Sequence, residues 1–203
     1  IRPLEPGARG LMAYDAPEKA NRFRYRVGWN LDANGKPESW SGVARKEGRG
    51  WTGEGAGMAV TDLNRNQMHE VVLLAYDAPE GGNEFRFDLG WDINQRDPRG
   101  MQLEESGKAL IQTEQWKSYT EPGRGANADG AGVALHDLNG NNEPDLVLLA
   151  YDDPKDRRPL PLIHKKKGTE FRYDVYHDYF ENADPPTPTE FAPTVHGFNF
   201  PNS

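Results

Sequence analysis

The stretch from Asp137 to Asp145 places side-chain oxygens at its first, third, fifth and ninth positions, on Asp137, Asn139, Asn141 and Asp145. Alternate side chains of a tight loop turn to one side. With the Glu143 carbonyl at the seventh position, these four can therefore wrap a hard cation in five or more oxygens, the usual way of holding Ca2+. Ligation by oxygen alone favours Ca2+ over zinc or copper. The same spacing recurs in Asp62, Asn64, Asn66, the Met68 carbonyl and Glu70. Asn, Asp and Gly also crowd ordinary turns for backbone reasons, so a plain polar hairpin is the alternative reading. Two copies at one place in a repeating sequence favour the cation. The Asp62 copy is the weaker, because its sharp turn falls on Gln67, which tolerates a left-handed backbone less well than Asn142 does.

Other chemistry is sparse. Trp40, Trp51 and Trp116 lie at the ends of apolar runs or in loops, where an aromatic face can stack on a sugar ring, whereas Trp29 and Trp91 share an apolar strand face and read as core. The five histidines show no pair at metal-ligand spacing. Acidic pairs such as Asp152 with Asp153 and Glu104 with Glu105 sit beside turn residues, and the run His164 to Lys167 reads as a solvated loop. No nucleophile elbow, phosphate loop or dinucleotide fingerprint is present. The absence of cysteine excludes disulfides and thiolate chemistry. A net charge of −8 repels a phosphate backbone and points to cations or neutral ligands as partners instead of nucleic acid. No apolar run approaches membrane-spanning length, so no membrane insertion is expected.

Short strands in a repeating order must carry these residues. Gly55 to Asn64 is matched by Gly130 to Asn139, and Leu11 to Pro17 by Leu73 to Pro79 and Leu148 to Pro154. Phe23 to Trp29 is matched by Phe85 to Trp91 and Phe171 to His177. In the last set Phe85, Phe87, Leu89 and Trp91 alternate with Glu84, Arg86 and Asp88, the period of a half-buried antiparallel strand. Val71 to Tyr76 is apolar throughout, as in a strand covered on both faces. With 22 glycines and 16 prolines spread along 203 residues, many turns between short strands are expected. The reading is an all-β, β-propeller-like single domain over 1–203, with about three repeat units of roughly four antiparallel strands, near 10–52, 53–122 and 123–203. Insertions fall near 97–109 and 155–168. The first unit lacks its opening strand, which the apolar-rich stretch Thr189 to Phe200 is expected to supply beside the N-terminus. Open sheet edges at both ends invite pairing, so a two-fold homodimer is expected.

The sequence Gly130 to Val147 resembles the FG-GAP/VCBS repeat of integrin-type β-propellers and of many secreted bacterial proteins. The resemblance covers the second and third units, and the first from Leu11. It implies Ca2+ held by Asp137, Asn139, Asn141 and Asp145, and by Asp62, Asn64, Asn66 and Glu70. The family's loop glycine is replaced here by Asn142 and Gln67, and its final aspartate by Glu70. The expected function is a Ca2+-binding, secreted or extracellular recognition or adhesion module, lectin-like, with a glycan or an extracellular protein as partner. The chain opens at Ile1 without a basic-then-apolar stretch, so any targeting peptide is expected to have been removed. A domain of a secreted hydrolase and a structural oligomer-forming protein are the alternatives. No residues combine a nucleophile, a positioned base and an oxyanion donor, so no enzymatic activity is expected.

Overall fold

A computed structural model describes residues 8–53, 55–63, 68–77, 81–93, 115–123, 130–141, 143–152, 170–180, 190–191 and 195–196. All regular structure among them is antiparallel sheet, and no helix there is long and apolar enough to cross a membrane. The first sheet is built from β1 (Ala8–Asp15), β2 (Arg22–Leu31) and β3 (Pro37–Trp40), with β4 (Ala44–Glu47) also on β2. The second runs in the order β5 (Gly55–Thr61), β6 (His69–Asp77), β7 (Glu84–Ile93) and β8 (Gln115–Pro122). The third comprises β9 (Gly130–His136), β10 (Asp145–Asp152) and β11 (Glu170–Tyr176), with β12 (Glu190–Phe191) and β13 (Val195–His196) both on β11.

The sheets stack face to face in chain order, and β6 shows why. Its residues Val71, Leu73 and Ala75 join Phe23, Tyr25 and Val27 of β2 in one core, while Val72, Leu74 and Tyr76 join Leu146, Leu148, Ala150 and Tyr176 in the other. An unbroken apolar run is thus needed because both faces are covered. Each fully buried Leu or Val contributes about 1.5–3 kcal/mol relative to exposure. The alternation in β2 has the opposite cause. Phe23, Tyr25 and Val27 are buried against the second sheet, and Arg22 and Arg24 face solvent.

Glycine sets the distance between the second and third sheets. A Cβ on Gly55 would lie 2.3 Å from the Ala131 nitrogen, and one on Gly57 would lie 3.0 Å from the Val133 nitrogen. The two opening strands β5 and β9 therefore meet backbone to backbone. This contact accounts for Gly55 and Gly57, whereas a Cβ on Gly130 or Gly132 would meet only Tyr151 or Leu149, at 3.6 Å.

The C-terminal stretch departs from expectation. Glu190–Phe191 and Val195–His196 pair with β11, not beside β1. Returning to the strand just completed closes a short loop, whereas reaching β1 would close one spanning most of the chain, at a larger entropic cost. The expected insertions near 97–109 and 155–168 lie outside the described residues.

Candidate functional site

Each candidate loop bridges a short opening strand and the central strand of its sheet. Asp137 directly follows β9 and Asp145 begins β10; Asp62 directly follows β5, Met68 directly precedes β6, and Glu70 lies at its start. Asn64 and Asn66 lie outside the described residues.

The ninth-position carboxylates are the fixed points. Asp145 is fully buried; its Oδ2 accepts the Leu138 N–H at 2.7 Å and its Oδ1 the Asp178 N–H at 3.1 Å. Glu70, equally buried, accepts the Leu63 N–H at 2.6 Å and the Asp92 N–H at 3.4 Å. Each carboxylate thus ties the start of its loop to the end of the third strand. The donors Asp92 and Asp178 have positive φ values of 50° and 53°, as Asn30 does at 54° in the first sheet. Asp and Asn bear that left-handed conformation better than most residues.

Their electrostatics differ. Burial by itself would raise the Asp145 carboxyl, but the Leu138 N–H, the His177 imidazole and the Asp178 N–H hold it below the usual carboxylate range. His177 Nδ1 is 3.0 Å from Asp145 Oδ1. Glu70 has no such imidazole at the matching place, where Trp91 stands. Burial pushes it up to about 7, against the Leu63 and Asp92 N–H bonds, and the Asp92 and Asp62 charges push the same way.

The rest of the Asp137 loop is wound by its own side chains. Asp137 Oδ1 accepts the Gly140 N–H at 2.7 Å, Asn139 Oδ1 the Asn141 N–H at 2.9 Å, and Asn141 Oδ1 the Glu143 N–H at 2.7 Å. Asn141 Nδ2 donates to Asp178 Oδ1 at 2.8 Å, and Asn139 Nδ2 lies 3.4 Å from His177 Nδ1. Among the described residues no three Asp, Glu, His or Cys side chains converge as a metal site. The donor chemistry nonetheless suits a hard cation. Every candidate donor is an oxygen, and an amide or carboxylate oxygen engaged in one turn bond keeps a second lone pair.

His177 and Asp178 join this loop without having been singled out from the sequence. The available signal was register: His177 stands where Trp29 and Trp91 stand in the other copies.

The three tryptophans have different surroundings. Trp40 lies opposite Gly28 and Trp116 opposite Gly90, so they occupy matching places, each on the bare backbone of a glycine. The Arg26 guanidinium covers Trp40 at 5.5 Å, and Lys46 Nζ covers Trp116 at 5.2 Å. Trp116 packs against the core between the first two sheets. Trp51 is 69% exposed, with one face on the Arg86 guanidinium at 5.2 Å, and is the best placed of the three to meet a ligand.

A buried carboxylate presents Trp51. Asp77 Oδ1 accepts the N–H groups of Trp51, Thr52 and Gly53 at 2.6, 2.9 and 3.2 Å. Arg86 Nε lies 2.9 Å from Asp77 Oδ2, an ion pair bent away from hydrogen-bond geometry. The segment joining the first two sheets is thereby latched to β6. A comparable anchor lies near the third sheet, where the Glu121 carboxylate accepts the Tyr179 hydroxyl at 2.7 Å and the Tyr176 hydroxyl at 3.3 Å. Comparison of the chain with protein-family models, with curated proteins and with solved structures finds no match.

Proposed function

We propose that this chain is a Ca2+-stabilised recognition or adhesion module of the FG-GAP/VCBS kind, its sheets arranged as propeller blades, acting outside the cell on a glycan or an extracellular protein. The observation that carries the reading is the paired role of Asp145 and Glu70. Two buried carboxylates at one place in two loops accept backbone N–H groups from equivalent positions, Leu138 and Asp178 for Asp145, Leu63 and Asp92 for Glu70. Each thereby holds the residue that follows the leading aspartate of its loop, Leu63 after Asp62 and Leu138 after Asp137. Recurrence itself favours an ion site over an active site, because a catalytic constellation needs unlike groups in one place. Trp51 is the aromatic surface offered to a sugar.

Ca2+ binding to the folded chain alone stabilises it by about 2.7 kcal/mol at one hundred times the dissociation constant. Thermal melts with Ca2+ or EGTA are expected to differ accordingly, and Asp137→Ala is expected to remove more of the difference than Glu70→Ala. Identical melting curves with Ca2+ and with EGTA, together with no heat in calorimetric titration of Ca2+, would overturn the reading.

A further inference from the structure

Among the described residues β1 is paired on one edge only, by β2. Its counterparts are flanked on both: β6 by β5 and β7, β10 by β9 and β11. The correspondence is fixed by sequence, since Leu11 to Asp15 matches Leu73 to Asp77 and Leu148 to Asp152. The place beside β1, unfilled among the described residues, has two walls. One is the β1 edge itself, and the other is the face of β5 carrying Ala56, Met58 and Val60, all only half-buried.

The second sheet shows what such a place holds. There β5 fills it, pairing with β6 from Gly55 opposite Tyr76 to Thr61 opposite Glu70, while Gly55 and Gly57 rest on the β9 backbone. Carried back one sheet, the β9 wall becomes β5, and an occupant needs two glycines at alternate positions to lie on it. One substitution adds a charge requirement. Arg9 stands where β6 has Val71 and β10 has Leu146, and the β5 residue opposite Val71 is Val60. Arg9 is exposed and shares its face with Arg22, Arg24 and Arg26 of β2, so an acidic residue at the Val60 place of the occupant would meet a basic surface.

We propose that the edge of β1 left unpaired among the described residues is a docking site for an extended peptide strand of Gly-x-Gly type, bound by sheet extension and favoured by an acidic side chain opposite Arg9. Main-chain pairing supplies the affinity, and the two glycines with the acid supply the selection. A second copy of this chain is a poorer occupant, because its own Gly-x-Gly strands already lie against their neighbours. The inference is independent of Ca2+.

The test is fluorescence anisotropy of the full chain with a labelled synthetic peptide of residues 53–62, run beside amide hydrogen exchange of Ala8–Asp15. Saturable binding with slowed exchange in β1 is expected. Changing both glycines corresponding to Gly55 and Gly57 to valine should weaken binding at least ten-fold. Glutamate at the place of Val60 should strengthen it several-fold at low salt, and Arg9→Glu in the protein should abolish that gain. Failure of the peptide to bind, equal binding of the valine peptide, or β1 amides already protected in the free chain, as monomer or dimer, would each overturn the proposal.

Discussion

Glu70 carries a cost that depends on pH. Its folded-state carboxyl sits near 7, against an ordinary value of 4.5. Between those two the folded chain holds the proton more tightly than the unfolded chain, so stability is greatest below pH 4.5 and falls as pH rises towards 7. The loss from this group is on the order of 3 kcal/mol at most. Chemical denaturation at pH 4.5 and 7.5 is expected to show that fall for the parent chain, and Glu70→Gln to remove most of it; an unchanged slope would place the proton elsewhere. Asp77 is a different case, a buried carboxylate serving three N–H groups and Arg86. Asp77→Ala leaves those three N–H donors without their acceptor, while Arg86 keeps Glu84 and the Arg49 carbonyl, and is expected to cost about 1–3 kcal/mol. Trp51→Ala should change stability by under about 0.5 kcal/mol. If a glycan is the ligand, its binding should nevertheless be lost, as a glycan array with the two proteins would read.

Strands β5 and β6 carry most of the packing between sheets. Leu73 and Leu74 are adjacent in sequence and fully buried, yet they belong to different cores, one facing the first sheet and the other the third. Either residue changed to alanine is expected to cost about 2–5 kcal/mol in denaturant melts. Gly57→Val inserts a side chain where a Cβ would be 3.0 Å from the Val133 nitrogen, so β5 must lift from β9. Overpacking of this kind costs about 1–3 kcal/mol. The same change at Gly130, whose Cβ would meet only Tyr151 at 3.6 Å, should cost less, and the difference between the two melts checks that the glycines serve close approach.

Because β6 lies in both cores, the three sheets should unfold as one unit. A single transition by circular dichroism and by tryptophan fluorescence is expected, and two separated transitions would show that the sheets are stable apart. The two end sheets present different outer faces. On the first, Arg9, Arg22 and Arg24 are exposed beside Leu11, which is 55% exposed where its counterpart Leu73 is fully buried. On the third, Val147, Leu149, Tyr151 and Tyr173 are half-buried. Much of this molecule was legible in its residues. Alternation of Phe85, Phe87 and Leu89 with charged residues, and the unbroken run Val71 to Tyr76, determined which strands form and how many faces each buries, because period-two burial depends on residue type alone. The carboxylates Glu70 and Asp145 could likewise be singled out by spacing. Pairings across the chain could not. That His177 and Asp178 come to the Asp137 loop, that Asp77 holds the segment at Trp51, that Trp116 turns inward, and that Glu190–Phe191 returns to β11 were decided by tertiary structure. Each depends on which distant segments pair or pack together, and no local pattern encodes that.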